Sequence, residues 1–132
     1  LAIDALESWL RTANSLVEIR RSASPPVMET RLLTNYPNPF NPETWIPYEL
    51  AAPADVAIEI YAATGQRVRR LELGRKRAGR YHQRALAGYW DGRDETGEPA
   101  ASGVYFYLLH VVDSDEIGKG ARTYVGKMTL LK

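Results

Sequence analysis

The densest run of chemically capable side chains is Trp90-Asp91-Gly92-Arg93-Asp94-Glu95-Thr96-Gly97-Glu98-Pro99. Asp91, Asp94, Glu95 and Glu98 could ligate calcium, a hard cation that takes oxygen donors. Their spacing does not fit the helix–loop–helix calcium loop: the acids fall out of step, and the bidentate glutamate that closes such a loop is missing. Asp91-Gly92 and Thr96-Gly97 are turn formers, and aspartates in such turns accept hydrogen bonds from nearby backbone N–H groups. The run therefore reads as a structural turn. A second acidic run, Asp113-Ser114-Asp115-Glu116, reads as a solvated hairpin tip.

Other chemistries find little to work with. The chain has no cysteine, which removes disulfides, thiol catalysis and cysteine-ligated zinc together. His82 and His110 are far apart in sequence and in no H-x-x-H or H-E-x-x-H spacing. There is no G-x-S-x-G and no Walker A sequence, and the paired carboxylates fall in turn-like runs. These absences lead us to expect no enzyme activity, no cofactor and no metal site. From Arg67 to Arg84 eight basic residues stand against one acid, Glu72. Such a cluster could contact phosphates, but strand alternation would divide it between two faces and a turn. No nucleic-acid-binding motif accompanies it, so a charged, solvated edge is the expectation.

The elements that must position these residues change character along the chain. Ile3, Leu6, Leu10, Ala13 and Leu16/Val17 recur at helical spacing. Asp4 and Glu7 lie early and Arg20 and Arg21 late, as a helix dipole favours. Pro25-Pro26 cannot continue a helix. The expectation is a helix over about 2–20 within a flank 1–21, a linker over 22–31, and a folded domain over 32–132. Beyond the linker the period becomes that of strands. Val56, Ile58 and Ile60 alternate with Ala57, Glu59 and Tyr61. Gln66–Leu73 is the return strand, and the parity change between Val68 and Leu71/Leu73 predicts a bulge or a crossover. Val104–Val112 is apolar at both parities, as in a central strand covered on both sides. Arg122–Leu131 is the last strand, with Tyr124, Met128 and Leu130 in phase. Thr44–Leu50, Tyr81–Leu86 and a short edge at Leu32–Asn35 complete about seven strands. The fold class expected is an all-β, immunoglobulin-like antiparallel sandwich preceded by one helix. The 132 residues suffice for one core. The net charge of +1 gives no bulk field toward nucleic acid or membrane, and no apolar run is long enough for a transmembrane segment.

Asn35-Tyr36-Pro37-Asn38-Pro39-Phe40-Asn41-Pro42 is the most unusual stretch. Alternate prolines fix φ and remove ladder donors, so the segment must be extended and irregular. Tyr36 and Phe40 offer apolar anchors, and Asn38 and Asn41 offer hydrogen bonds to the backbone. It reads as a rigid lead-in covering one end of the sandwich, with a peptide-type binding site as the alternative.

With its order of motifs, Leu32–Lys132 resembles the C-terminal sorting domain of proteins exported by the type IX (Por) secretion system. It is also similar to the related immunoglobulin-like domain of flagellar hook-capping proteins. The resemblance rests on three pieces. They are Pro37, Asn38, Pro39, Phe40, Asn41 and Pro42 running on to Tyr48-Glu49-Leu50; Trp90, Asp91, Gly92, Asp94 and Gly97 followed by Gly103 and Tyr105; and the end of the chain with Lys127, Met128 and Lys132. The resemblance implies a seven-stranded sandwich at the C-terminus of a larger exported protein. It implies that an outer-membrane translocon reads the domain as an address, and that the domain is often cleaved as its cargo is anchored or released. The implied partners are the secretion machinery at the outer membrane and an upstream cargo domain in the same polypeptide. The implied location is the exterior or cell surface of a diderm bacterium, reached through the periplasm. Asp113–Ala121 lengthens the final hairpin relative to that pattern, and residues 1–24 fall outside it. Other readings are a structural spacer, adhesion or hook-cap-like assembly module, and, behind these, a calcium- or carbohydrate-binding sandwich.

Overall fold

The computed structural model describes residues 25–113 and 121–132, over which the chain is all-β. The helix expected at 2–20 and most of the Asp113–Ala121 segment lie outside the described residues. The described strands are β1 (Arg31–Leu32), β2 (Thr44–Ile46), β3 (Tyr48–Leu50), β4 (Ala54–Ala62), β5 (Arg67–Lys76), β6 (Gly79–Tyr81), β7 (Gly88–Trp90), β8 (Gly103–Val112) and β9 (Arg122–Leu130). One sheet has the order β5-β4-β8-β9. Facing it are β1-β3-β6 and the two-stranded ladder β2-β7. Every named pair is antiparallel.

The core follows from alternation. Val56, Ile58 and Ile60 of β4 pair with Val111, Leu109 and Tyr107 of β8, and all six side chains are buried. Ile46, Tyr48, Leu50 and Trp90 come from the opposing strands to meet them. Each buried side chain of this size contributes roughly 1.5–3 kcal/mol relative to exposure.

Pro47 divides the strand expected over Thr44–Leu50. Proline has no N–H for a ladder, and here the chain changes partner: β2 pairs with β7 and β3 with β1 and β6. The parity change in the return strand is a pair of bulges. Ladder partners skip Leu73 between Gly74 and Glu72, and skip Val68 between Arg69 and Arg67. The expected strand Tyr81–Leu86 is corrected. Strand β6 ends at Tyr81, and Gln83 accepts turn hydrogen bonds from the N–H groups of Leu86 and Ala87. The strand that follows, Gly88–Trp90, was hidden by its brevity. Strand β8 is central in its sheet, yet it is not covered on both sides. Tyr105, Tyr107, Leu109 and Val111 are buried while Val104, Phe106, Leu108 and His110 are half-buried.

The outer face of each large sheet carries one buried glutamate. Glu49 on β3 is held by Arg31 at 2.9 Å, His82 Nε2 at 2.8 Å and Arg80 at 3.6 Å. Glu59 on β4 is held by Arg67 at 3.0 Å, Arg70 at 3.6 Å and His110 Nε2 at 2.6 Å. Burial alone would raise both carboxyls. The hydrogen bonds and charges of Arg31 and His82 at Glu49, and of Arg67, His110 and Arg70 at Glu59, overcome it and hold both below the ordinary carboxylate value.

Candidate interaction site

The proline segment anchors itself on the end of β9. Phe40 is buried and forms a parallel bridge to Leu130. Its N–H donates to the Thr129 carbonyl at 2.9 Å, and its carbonyl accepts from the Leu131 N–H at 3.0 Å. Asn38 Oδ1 accepts from the Thr129 N–H at 3.0 Å. The peptide bonds before Pro37, Pro39 and Pro42 are cis. A step earlier, buried Asn35 donates from Nδ2 to Thr44 Oγ1 at 3.0 Å, and its N–H donates to the Tyr107 hydroxyl at 3.2 Å.

The tryptophan loop docks on the same anchor. The Phe40 and Trp90 rings lie 5.5 Å apart, and Trp90 meets Tyr105 edge-on, also at 5.5 Å. Such aromatic pairs contribute about 0.5–1.5 kcal/mol beyond the area they bury. Tyr105 pairs across the ladder with Met128. Burial pushes the Tyr105 phenol up, and its hydroxyl donates to the Ala101 carbonyl at 2.6 Å. Trp90 Nε1 donates to the Arg93 carbonyl at 2.9 Å. Gly92 has φ +78°, and a Cβ there would stand 2.2 Å from the Pro42 carbonyl oxygen. The loop backbone therefore approaches the proline segment closely at Gly92, where only glycine fits. Nearby, the Lys132 N–H donates to Ser102 Oγ at 3.0 Å.

Phe40, Trp90, Tyr105 and Met128 thus form one buried cluster at one end of the sandwich. Around it Pro37, Asn38, Pro39, Asn41, Pro42 and Lys132 are exposed. A cleft of about 250 Å³ lies there, lined in part by Pro42, Glu43, Asp91, Gly92 and Lys132. Other expected residues stand apart from it. Gly97 is at the exposed tip of the tryptophan loop, and Gly103, with φ +155°, opens β8. Lys127 pairs with Phe106 and points to the outer face, opposite Met128.

The acidic loop is turned inward to its own backbone. Asp94 Oδ1 accepts from the Thr96 hydroxyl at 2.7 Å, the Thr96 N–H at 2.9 Å and the Glu98 N–H at 3.0 Å. These bonds, the hydroxyl first, lower its pKa. Asp91 Oδ1 accepts from the Arg93 N–H at 2.9 Å, and Glu95 from the Arg70 N–H at 2.6 Å. Among the described residues no group of three histidines, cysteines or carboxylates could hold a metal ion. The basic run is likewise engaged within the chain: Arg67 and Arg70 with Glu59, Arg69 with Asp91, Arg80 with Glu49, and Arg84 over the Trp45 ring.

Two clusters escaped sequence reasoning. Glu49 and Glu59 sit at polar positions of alternating strands, where exposure is the default. Tyr36, bridged to Trp45, packs in a row with Trp45 of β2 and Tyr89 of β7 on the outer face of β2-β7, and Tyr89 donates to Glu43 at 2.6 Å. Only the register, which sequence does not carry, brings that row together.

A family model, the FlgD Ig-like domain, matches residues 42–115. The chain belongs to the FlgD Ig-like domain family. The match takes in Pro42, the tryptophan loop and β8. Phe40 and β9 enter the site through the structure, and no helix among the described residues is long and apolar enough to cross a membrane. No curated protein matches the chain. Among solved structures, this FlgD-type domain is similar to dimeric latent PorU from Porphyromonas gingivalis, at 19% identity and a TM-score of 0.59 over 83% of the chain. The chain spans 10% of that protein's length. FlgD from P. aeruginosa is similar at 20% identity and a TM-score of 0.47, over 79% of this chain and 66% of that one. The first likeness establishes the fold, an immunoglobulin-like β-sandwich.

Proposed function

We propose that this domain is a non-catalytic sorting and interaction module that directs export and surface attachment of a larger protein. One observation carries the reading. The three segments that resemble type IX sorting domains are distant in sequence, and all three meet at one end of the sandwich through Phe40, Trp90, Tyr105 and Met128. Their exposed neighbours, Pro37, Asn38, Pro39, Asn41, Pro42 and Lys132, surround that buried anchor and would offer a translocon a rigid surface. Exposed residues held on a rigid scaffold are where recognition concentrates. The unit we propose runs from Leu32 to Lys132 and is joined to its cargo through residues 22–31, with delivery through the periplasm to the cell surface of a diderm bacterium.

The decisive assay fuses the full chain behind a periplasmic reporter in a type IX-competent host. Export of the reporter, lost on Lys132→Glu with the fusion still folded, supports the address. A stably folded fusion that stays in the periplasm sinks it. The family match favours a second reading, a hook-cap-like assembly module. That reading expects co-purification with flagellar or surface filament subunits and no export of the reporter.

A further inference from the structure

The two edges of the four-stranded sheet differ in kind. Strand β5 is blunted: Val68 and Leu73 bulge out of its ladder, and Arg67, Arg70 and Arg75 are exposed along it. Bulges and charge are how edge strands avoid pairing with other chains. Strand β9 has no bulge, and its exposed charge is limited to Arg122 and Lys127. Its ladder with β8 runs through nine consecutive partners without a register shift.

Which backbone groups of β9 face outward follows from the bonds at its end. The Thr129 N–H and carbonyl both turn away from β8, to Asn38 and Phe40. In an antiparallel ladder this direction alternates by residue, so Thr123, Val125 and Lys127 also present their N–H and C=O groups outward. The proline segment pairs with this edge at Thr129 to Leu131, and the main-chain groups of Thr123, Val125 and Lys127 bond no other described segment. Strand β1 and residues 33–35 pass nearby on the inner side, where the Tyr107 ring crosses Gly126 to reach Leu33 and Asn35. Thr123 and Lys127 are exposed, and Val125 is 65% exposed. From Arg122 to Lys132 the chain carries Arg122, Lys127 and Lys132 and no acid.

We infer that the edge of β9 from Thr123 to Lys127 is a strand-addition site for an extended, acidic segment of a partner protein. The main-chain groups of Thr123, Val125 and Lys127 supply affinity independent of sequence. Exposed Val125 takes an apolar side chain beside it, and Lys127, two residues on along the same face, selects a carboxylate. The proline segment sets the limit of the site, because it already pairs with the strand beyond Lys127. This deepens the interaction-module reading and rests on it, naming the chemistry of the partner.

The test uses the full chain and a labelled synthetic peptide with the repeat Val-Thr-Glu-Thr, which puts Val and Glu on one face of a strand, with a Val-Thr-Lys-Thr peptide as its counterpart. The acidic peptide binds and the basic one does not. On binding, amide exchange slows at Thr123, Val125 and Lys127, which face away from β8. Val125→Pro removes an N–H that the fold does not use and lowers affinity by about tenfold or more. Lys127→Glu reverses the preference between the peptides and covers the case in which the proline variant fails to fold. Equal binding of both peptides, or unchanged exchange at those three amides in millimolar acidic peptide, overturns the proposal. So does a dimer of the free chain that Lys127→Glu or Val125→Pro abolishes, since a second copy would then be the occupant. Reporter export separates the two readings. Peptide binding without export fails the address alone, and export unaffected by Lys127→Glu fails the edge alone.

Discussion

At the scale of single residues, glycines separate strain from collision. Gly92 and Gly97 share a left-handed backbone, at φ +78° and +86°, but only Gly92 faces another chain segment within 4 Å. Gly97→Ala therefore costs the conformational penalty alone, about 1–2 kcal/mol. Gly92→Ala adds a collision with the Pro42 carbonyl and costs upward of about 3 kcal/mol. Urea denaturation of the two variants measures the difference, and equal losses would mean that the loop and the proline segment do not approach closely. The buried glutamates give a second expectation. Folded Glu49 and Glu59 bind protons less readily than when unfolded, so their stabilisation is complete above the ordinary value of 4.5. It declines as pH falls from there through the lower folded values. Denaturation at pH 7, 5, 4 and 3 should show this decline, and Glu49→Gln should flatten it while costing stability at pH 7. The charge types were legible in the sequence, but the partners were not. Strand alternation assigns Glu59 to the solvent side, and nothing local says that Arg67, Arg70 and His110 converge there.

At the scale of elements, the long strands were legible because their apolar residues keep one period over many positions. Strands β8 and β9 were found with their ends within a residue, and β4 and β5 by their centres, β5 running on to Lys76 beyond the expected Leu73. The short ones were blurred for a physical reason: three residues cannot display a period, and β6 and β7 hold their place by pairing with β3 and β2 rather than by pattern. The proline segment was legible as irregular and as a cover; it is bent at 37–39 and 41–42 rather than extended, and both its bends and its attachment to β9 needed the fold. That attachment predicts unequal costs. Asn38→Ala loses one hydrogen bond to the Thr129 N–H, about 0.5–1.5 kcal/mol. Phe40→Ala empties a buried site between Trp90 and Leu130 and costs about 3–5 kcal/mol. Thermal denaturation followed by tryptophan fluorescence reads both, because Trp90 lies against Phe40. The acidic loop predicts the opposite of sensitivity. Its aspartates already satisfy backbone N–H groups, so melting in chelator and in excess calcium should agree to within about 5 °C, equivalent to roughly 1 kcal/mol for a domain of this size. A larger shift would mean that a cation organises the loop instead.

At the scale of the whole molecule, fold and recognition meet in one strand, and this limits how recognition can be tested. Met128 and Leu130 are each 1% exposed and belong to the core, whereas Lys127 and Lys132 are exposed. The same residues 128–132 also hold Asn38 and Phe40, and through Phe40 the tryptophan loop. Deleting them removes two core side chains, at about 2–5 kcal/mol each for truncation alone. It also releases the segment that closes that end of the sandwich. A domain has only about 5–15 kcal/mol to lose. We therefore expect the chain ending at Lys127 to show no cooperative thermal transition by circular dichroism. Lys127→Glu and Lys132→Glu change only exposed charge and should melt within about 3 °C of the parent. Failed export of the truncated chain would then report unfolding rather than loss of an address. Failed export of the folded charge variants would report recognition itself. A truncated chain that still melts cooperatively would show that the proline segment and tryptophan loop hold that end of the sandwich closed without residues 128–132.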